Sequence, residues 1–291
     1  MNDLVSVIIP TYNRAQLLPN AIKSILEQTY KNLEIIVVDD CSDDETEDVL
    51  KQLQVDNLRY IRLDERHGAN FSRNVGIKES NGSFIAFQDS DDVWHSDKLE
   101  KQLALFEKEN ADVVFCPICQ HNGSKIQVYP ILKHDESLLN HVLVENVIST
   151  QTLIGRKEVF NDDKFDNSLK RFQDWDLAIR LISKYNVKYV DEPLVDAFIM
   201  KDSISKSPQN AVLALEHICK VYKDQIAEEG TGVILEKKIV GYAIRAQEYN
   251  VASAHIESVF YQEKNLRNYI YLVLSKLHLL RFVYLYITKD N

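Results

Sequence analysis

The sequence has few cysteines, no excess of positive charge and no long uninterrupted apolar segment, and each shortage excludes a class of protein. Four cysteines in 291 residues do not form the framework of a disulfide-rich secreted protein. A formal net charge of −10 argues against a protein that binds duplex nucleic acid, which needs a basic face. No segment reaches the roughly 18 consecutive apolar residues of a membrane-spanning helix, and Met1–Asp3 lacks the basic start of a signal peptide. We therefore expect a cytoplasmic protein, with contact to the inner face of a membrane left open.

Two apolar runs each end in carboxylates. Residues 35–38 and 84–87 are short and wholly apolar, as is typical of strands buried on both faces of a parallel sheet. The acidic residues that follow them are Asp39, Asp40, Asp89, Asp91 and Asp92. Ligands bind at the carboxyl ends of such strands, and carboxylates hold an anionic ligand there through a cation. The pattern therefore predicts a nucleotide-type ligand with a divalent metal on its phosphates, and a solvated acidic turn is the alternative.

Strand-like and helix-like segments alternate over the first 115 residues. This alternation is typical of a mostly parallel, doubly wound α/β sheet with helices on both faces. From about residue 208 onward the apolar spacing is helical. We therefore predict an α/β domain in residues 1–205, followed by a C-terminal helical extension in residues 206–291.

Four sequence blocks resemble family 2 glycosyltransferases, which have the GT-A fold. They occur in the order and at the spacing of that family, within roughly residues 4–200. The blocks are SVIIPTYN at residues 6–13, EIIVVDDCSDD at 34–44, GANFSRNVG at 68–76 and DSDDVW at 89–94. The resemblance implies an inverting enzyme that moves a hexose from a UDP-sugar, with UDP-glucose or UDP-galactose favoured, to a hydroxyl of a glycan or glycoprotein. Assembly of a bacterial surface glycan is the setting that it suggests.

The resemblance also implies which residues hold the donor. The candidates are Pro10, Thr11, Tyr12, Arg14, Asp39, Arg73, Asp89 and Ser90. Asp39 would accept a hydrogen bond from the uracil ring, because a carboxylate selects a base edge that presents a donor. Arg73 would approach the diphosphate or the sugar, and the alternative is an arginine on a helix surface. Asp91 would bind Mn2+ or Mg2+ directly, while Asp89 would contact ribose or sugar hydroxyls or reach the ion through water.

On the same resemblance, the catalytic base of the family falls on Asp174, within the sequence FQDWDL at residues 172–177. Asp174 would take the proton from the acceptor hydroxyl, and the alternative is a structural acid at a helix N-terminus. A glutamate of the family is replaced by Gln173, which keeps the hydrogen-bonding shape but removes a like charge that would raise the pKa of the base. Gln173 and Trp175 are candidates for acceptor contacts, although Trp175 would equally well pack in the interior.

Two positions depart from the family pattern. Cys41 replaces a usual glycine, which we interpret as one small residue for another. Met200 falls where the family often has a metal-binding histidine, and a thioether is a poor ligand for a hard ion. Either Asp91 and the phosphates hold the ion alone, or Lys201 supplies charge to the diphosphate. The sequence leaves both arrangements open.

Cys116 and Cys119 have the C-x-x-C spacing of metal and redox sites, with His121 close by. A zinc site needs a second pair of ligands, and a redox site needs the motif at the start of a helix rather than after a strand. We therefore interpret both as structural cysteines. We interpret His95, which follows the acidic block, as a solvated loop residue rather than a substrate contact.

The C-terminal region predicts helices at residues 211–228, 233–249 and 266–287. The last is apolar almost all round, and residues 264–291 contain five Lys or Arg and one Asp within an acidic chain. A helix of this kind is buried, pairs with another subunit or lies on an anionic membrane. We predict a homo-oligomer formed through these helices, with peripheral membrane contact as the alternative.

Two other functions compete with transfer. A nucleotide-sugar-binding module without turnover, or a subunit of a glycan-assembly complex, is the alternative that Gln173 and Met200 leave open. A nucleotidyltransferase shares the sheet topology but needs a glycine-rich basic loop after the first strand, and residues 10–13 are not such a loop.

Overall fold

The computed structural model describes residues 3–132, 137–199 and 207–282. The chain divides into two compact units. The first comprises Met1–Ser168 with Gln173–Lys201, and the second comprises Leu169–Phe172 with Asp202–Asn291.

The first unit is a mixed α/β structure. Its strands are β1 (Val5–Thr11), β2 (Leu33–Asp39), β3 (Leu58–Arg62), β4 (Phe84–Phe87), β5 (Val93–Trp94), β6 (Val113–Phe115), β7 (Ile118–Asn122), β8 (Lys125–Tyr129), β9 (Ile154–Arg156), β10 (Val187–Tyr189) and β11 (Val195–Phe198). Its helices are α1 (Leu18–Leu26), α2 (Thr46–Leu53), α3 (Ala69–Glu79), α4 (Lys98–Glu109), α5 (Leu138–Val144), α6 (Lys157–Asp162) and α7 (Gln173–Lys184), with a short 3-10 turn at Thr150–Thr152.

Seven strands form the main sheet, in the order β10-β6-β9-β4-β1-β2-β3. Neighbouring strands are parallel except at β9, which runs antiparallel to both β4 and β6. Every residue of β1 and β4 is buried, which explains why these strands read as unbroken apolar runs. The prediction of a mostly parallel α/β sheet is confirmed.

The strand register brings the acidic segments to one edge of this sheet. Thr11 at the end of β1 lies opposite Asp39 at the end of β2, and Ile8 lies opposite Phe87 at the end of β4. Helix α3 packs very closely on β1, because a Cβ atom at Gly76 would lie only 2.4 Å from the side chain of Ile8. The loops that follow β1, β2 and β4 therefore begin side by side, with α3 packed against β1.

A second, four-stranded sheet has the order β5-β11-β7-β8. Strand β11 is parallel to β7 and antiparallel to β5, and β8 is an edge strand antiparallel to β7. Because β5 follows the acidic turn directly, this sheet starts where the candidate metal ligands end.

The second unit is helical, as predicted for the C-terminal region. Its helices are α8 (Pro208–Val221), α9 (Lys223–Glu228), α10 (Gly232–Arg245), α11 (Tyr249–Gln262) and α12 (Leu266–Lys276). None of the helices within the described ranges combines the length and apolar content needed to cross a bilayer.

The predicted helix boundaries in this unit are partly wrong. The helix expected over residues 211–228 is interrupted at Tyr222, where the backbone leaves helical geometry at φ −103° and ψ 23°. The helix expected over residues 266–287 ends at Lys276, and His278 then adopts a left-handed φ of 54°. Residues 283–287 of that prediction lie outside the described residues.

Candidate active site

The turn after β4 carries the carboxylates of the Asp-x-Asp block. The backbone N–H of Asp92 donates to the carbonyl of Asp89 at 3.3 Å, and the side-chain amide of Gln88 donates to the carbonyl of Asp92 at 2.7 Å. Asp91 Oδ2 lies 3.8 Å from Nε of Arg14. Ser90, the remaining residue of the turn, is buried. The turn is therefore fixed from inside the protein, and Asp91 is oriented toward the loop that follows β1.

Like charges crowd this turn. Burial raises the pKa of Asp91, and the charge of Asp89 raises it further. Burial also raises the pKa of Asp92 well above its usual range, and one of its oxygens accepts a hydrogen bond from the backbone N–H of Phe198 at 3.3 Å. Asp92 is thus a buried structural acid, whereas Asp89 and Asp91 remain partly exposed to a ligand. A bound cation would relieve the repulsion between them.

Arg73 is a buried cation rather than the surface arginine that the sequence left as an alternative. It lies on α3 with 5% exposure, and its Nη2 donates to Asp89 Oδ1 at 2.7 Å. Its guanidinium carbon is 5.3 Å from the centre of the Phe165 ring. Its Nε and Nη1 are buried and have no hydrogen-bond partner in the protein. Because unsatisfied buried donors cost free energy, the two unpartnered nitrogens beside Asp89 are candidates for contact with an anionic ligand.

Asp174 lies in the first turn of α7 and is partly buried. Burial raises the pKa of its carboxyl group, while a hydrogen bond from the Asn146 side chain and one from the backbone N–H of Trp175, at 2.9 Å, act in the opposite direction. The charges of Arg73 and Asp89 also shift this pKa, with opposite signs.

The residues on either side of Asp174 differ in exposure. Trp175 is 3% exposed, and its indole N–H donates to the backbone carbonyl of Val142. The structure thus gives Trp175 the packing role that the sequence offered as the alternative to an acceptor contact. Gln173 is partly exposed at the first position of α7, and its acceptor contact stays a prediction.

Asp39 is held on all sides by the protein. Its Oδ1 accepts from the backbone N–H and the hydroxyl of Ser42, at 2.9 and 2.6 Å, and its Oδ2 accepts from the Tyr60 hydroxyl at 2.6 Å. Burial and the bond to Asp39 both raise the pKa of Tyr60. The predicted hydrogen bond from uracil to Asp39 therefore requires that the Tyr60 hydroxyl moves away, or that another lone pair of the Asp39 carboxylate becomes accessible. Sequence reasoning missed Tyr60, whose only signal is its place on the strand next to β2.

The backbone at Cys41 shows why glycine is usual at this position. Cys41 adopts a left-handed φ of 65°, a conformation in which glycine is unstrained. Its thiol lies 3.6 Å from the carbonyl oxygen of Asp64. The sequence interpretation as a simple exchange of small residues therefore omits a backbone cost of about 1 kcal/mol.

The loop after β1 presents an aromatic ring and a cation. The guanidinium of Arg66 lies 3.7 Å from the centre of the Tyr12 ring, a contact that sequence reasoning missed. Pro10 and Thr11 are buried at the strand end, and the Thr11 hydroxyl has no hydrogen-bond partner in the protein. Tyr12 and Arg14 are partly exposed, so among the four predicted donor contacts of this loop these two can contact a ligand directly.

Cys116 of the C-x-x-C segment is fully buried, as expected for a structural cysteine. Burial raises the pKa of Cys116 to about 11, so its thiol stays protonated at neutral pH. His121 and His95 both lie against Asp196, with their Nε2 atoms 2.6 and 3.1 Å from its two oxygens. The sequence suggested a solvated loop residue at His95. In the structure, His95 instead forms a contact with the Asp196 carboxylate.

The protein donors fit a hard cation that is also bound by substrate phosphates. Within residues 3–132, 137–199 and 207–282, no three His, Cys, Asp or Glu side chains are arranged to hold a metal by themselves. Asp91 and Asp89 offer carboxylate oxygens, and Mg2+ commonly uses one or two such ligands together with phosphates. Met200 and Lys201, the positions that bear on a further ligand, lie outside the described residues.

Comparison with known proteins decides the family. Residues 6–167 match the model of Glycosyl transferase family 2. The chain belongs to this family. The chain is therefore a transferase enzyme, and its mixed α/β unit has the GT-A fold of this family.

Relatives in the family include proteins of bacterial surface polysaccharide synthesis. The chain is 30% identical to the putative teichuronic acid biosynthesis glycosyltransferase TuaG of Bacillus subtilis, over 72% of this chain and 84% of that protein. It is 33% identical to the amylovoran biosynthesis glycosyltransferase AmsB of Erwinia amylovora, over 65% and 67% respectively. It is 32% identical to the uncharacterized glycosyltransferase RC0461 of Rickettsia conorii, but over only 33% of that protein.

Solved structures share the fold of the whole chain. TarS 1–349 of S. aureus, in complex with UDP-GlcNAc, superposes with a TM-score of 0.73 at 22% identity, covering 99% of this chain and 92% of that one. The mannosyltransferase PcManGT of Pyrobaculum calidifontis, in complex with GDP-Man and Mn2+, gives 0.64 at 17% identity, covering 97% and 85%. At this level of identity the likeness concerns the fold, and the two donors carry different bases.

Proposed function

We propose that this family 2 enzyme transfers a hexose from a UDP-sugar, with inversion, to a hydroxyl group of a bacterial surface glycan or glycoprotein. Its relatives TuaG and AmsB are named for teichuronic acid and amylovoran biosynthesis, which supports the glycan setting. TarS was solved with UDP-GlcNAc, which supports a UDP-sugar as the donor. UDP-glucose and UDP-galactose are the donors that we favour.

The buried guanidinium of Arg73 carries this proposal. Nε and Nη1 have no partner but are covered by the protein, so a diphosphate beside Asp89 must shift the covering residues to accept hydrogen bonds from them while Nη2 stays on Asp89. A planar fork held in place by Phe165 and Asp89 suits phosphate better than a mobile surface arginine would. Arg73 therefore fixes where the diphosphate of the donor lies.

A divalent cation, Mn2+ or Mg2+, would bind to Asp91, with Asp89 contacting it through water or contacting the sugar and ribose hydroxyls. Such an ion stabilises the negative charge that grows on the departing diphosphate. Asp89 also holds Arg73 in place through its 2.7 Å bond, so it orders both sides of the diphosphate site.

Asp174 acts as the general base. It removes the proton from the acceptor hydroxyl as that oxygen forms a bond to the anomeric carbon. The bond from that carbon to the diphosphate breaks at the same time, and its electron pair leaves with UDP. Attack from the face opposite the diphosphate inverts the anomeric configuration. The burial that raises the pKa of Asp174 makes it a stronger base than an exposed aspartate.

A donor screen tests the substrate class. Hydrolysis of UDP-glucose, UDP-galactose, UDP-GlcNAc and GDP-mannose is measured with Mn2+ and with EDTA. We expect turnover of a UDP-glucose-type donor that depends on the ion. Turnover restricted to GDP-mannose would contradict the uracil contact assigned to Asp39. Undiminished turnover in EDTA would contradict the role assigned to Asp91.

A substitution of Asp174 tests the base. In Asp174→Asn we expect UDP binding at least as tight as in the wild type, because a negative charge is removed, and a loss of turnover of about 10²- to 10⁴-fold. The exposed Asp162→Asn is the matched control and should retain activity. Equal turnover in Asp174→Asn and the wild type would show that another group accepts the proton. Tight UDP binding without turnover of any donor by the wild type would favour the non-catalytic binding module.

A further inference from the structure

Helix α12 buries two polar residues and exposes several apolar ones. Asn268 and Ser275 are only 6% and 5% exposed. The Asn268 side chain donates to the carbonyl of Glu263 at 2.8 Å, and the Ser275 hydroxyl donates to that of Ser253 on α11 at 2.7 Å. These two residues, seven apart, define the side of α12 that faces the protein. Polar contacts therefore help to hold α12 against the rest of the second unit, beside the ring contact of Tyr269 with Phe260.

The opposite side of α12 is an apolar stripe, which we define as Leu266, Ile270, Val273 and Leu277. Their spacing of four, three and four residues places them on one narrow face of a helix. Leu266, Ile270 and Leu277 are 75%, 49% and 59% exposed. Beside the stripe lies an open groove of about 800 Å3, lined mainly by apolar side chains that include Leu274 and Phe282. Contiguous exposed apolar surface of this kind marks an interaction site.

Positive charge borders the stripe on both sides. At 100° per residue, Arg267 and Lys276 lie roughly a quarter turn to either side of its centre. Residues 264–282 contain four Lys or Arg and no Asp or Glu, although the chain as a whole carries a net charge of −10. The nearby carboxylate of Glu257, on α11, lies 3.3 Å from the Lys276 ammonium. An apolar face with a cationic border is typical of helices that lie on anionic membranes.

The charges distinguish a lipid surface from a second copy of this chain. Pairing of two copies along the stripe would set the cationic borders of one helix against those of the other, because α12 itself carries no Asp or Glu and Glu257 is already paired with Lys276. Like charges across an interface oppose association. We propose that the α12 stripe docks on the surface of an anionic lipid bilayer, with the helix lying in the plane of the membrane. The stripe enters the boundary between headgroups and acyl chains, and Arg267, Lys276 and Arg281 approach lipid phosphates.

Vesicle binding of the full chain tests this proposal. Sedimentation is measured with phosphatidylcholine vesicles containing ~30% phosphatidylglycerol, and with pure phosphatidylcholine. We expect binding to the anionic vesicles only, weakened about fivefold for each cation removed by Arg267→Gln or Arg281→Gln, because each basic residue near such a surface contributes about 1 kcal/mol. High salt should weaken it as well.

A double substitution tests whether vesicle binding depends on the stripe itself or on any exposed apolar side chain. We expect Leu266→Gln/Ile270→Gln to lower partitioning at least about tenfold, because two exposed apolar side chains no longer enter the lipid. The matched control is Leu213→Gln, which removes a 64% exposed leucine from α8 and should bind like the wild type. Circular dichroism checks that each variant is folded. UDP affinity should be unchanged in all of them, which keeps this test independent of the proposed donor site.

Three results would overturn the proposal. One is wild-type protein that stays in the supernatant with anionic vesicles. Another is equal sedimentation of the double variant and the Leu213→Gln control. The third is a wild-type protein that does not bind vesicles and is a dimer in light scattering, while Leu266→Gln/Ile270→Gln is a monomer. That result would assign the stripe to a second copy of the chain.

Discussion

Replacement of Lys98 by methionine should change how the stability of the first unit depends on pH. Lys98 opens α4 and is fully buried. Its ammonium donates to the Gln102 side chain at 2.8 Å and lies 3.9 Å from the centre of the Trp94 ring. No carboxylate is paired with it among the described contacts. Burial lowers its pKa from 10.5 to about 8, and the nearby Cys116 thiol only slightly opposes this.

The size of the effect follows from that difference in pKa. At about 1.36 kcal/mol per pKa unit, a fall from 10.5 to about 8 corresponds to about 3.4 kcal/mol. Below pH 8 both the folded and the unfolded chain hold the proton, so the full burial cost is present and does not vary with pH. Between pH 8 and 10.5 only the unfolded chain holds it. The free energy of unfolding of the wild type therefore rises with pH in that window.

Lys98→Met removes this charge and its pH dependence together. It also leaves the Gln102 side-chain oxygen without its donor, which costs about 1–3 kcal/mol. At pH 7 we therefore expect a net stabilisation of about 1 kcal/mol or slightly more. Between pH 7 and 9.5 the wild type should gain about 2 kcal/mol relative to the variant.

Urea unfolding followed by tryptophan fluorescence measures both quantities, because Trp94 and Trp175 both lie in the first unit. Lys108→Met, an exposed position on the same helix, is the matched control and should track the wild type at every pH. A constant difference between the wild type and Lys98→Met from pH 7 to 9.5 would refute the reasoning. It would mean that Lys98 keeps its proton in the fold, or that the ammonium reaches water.

Three further predictions follow from single residues. Gly82→Ala should destabilise the fold by about 2 kcal/mol or more, because the new Cβ would lie 2.5 Å from a backbone oxygen. Gly241→Ala is the control, because no atom lies within 4 Å of its new Cβ. In the same thermal scan it should stabilise α10 by up to about 1 kcal/mol. Arg73→Lys should weaken UDP binding about tenfold by calorimetry, because it loses the planar fork, while Lys78→Gln on the same helix should not. Burial alone would raise the pKa of Asp163, but hydrogen bonds from three neighbouring side chains hold this pKa below its usual value. The stability that the ionised carboxylate contributes is present above about pH 4 and is lost as the pH falls through the lowered pKa. The free energy of unfolding of Asp163→Asn should therefore fall less steeply than that of the wild type in an acid titration.

The main sheet was predictable because its signal is local. Strands buried on both faces must be apolar throughout, so β1 and β2 can be recognised from a few residues each. Parallel strands joined by helices end at the same edge, which brings Asp39 near Asp89 without knowledge of any contact. These two rules account for the acidic edge of the candidate donor site, whereas Arg73 and the residues of the loop after β1 were indicated by the family resemblance.

The remaining contacts have no local signal. Tyr60 reaches Asp39 from a neighbouring strand, and Asn146 reaches Asp174 across 28 positions of the chain. The small sheet pairs β5 with β11, which lie about a hundred residues apart, through only two residues of β5. Tertiary packing alone determines such pairs, so propensity and periodicity cannot reveal them. The same reason explains the interruption at Tyr222, where the sequence is compatible with one continuous helix.

The charges around Asp174 link donor binding to the strength of the base. Gln173 carries no charge, whereas the charge of Arg73 lowers the pKa of Asp174 and that of Asp89 raises it. In the proposed function the diphosphate pairs with the free nitrogens of Arg73. Its negative charge then offsets the positive charge that Asp174 feels, and the pKa of Asp174 rises further. The base would therefore become strongest once the donor is bound, which limits proton transfer to the complex that can use it.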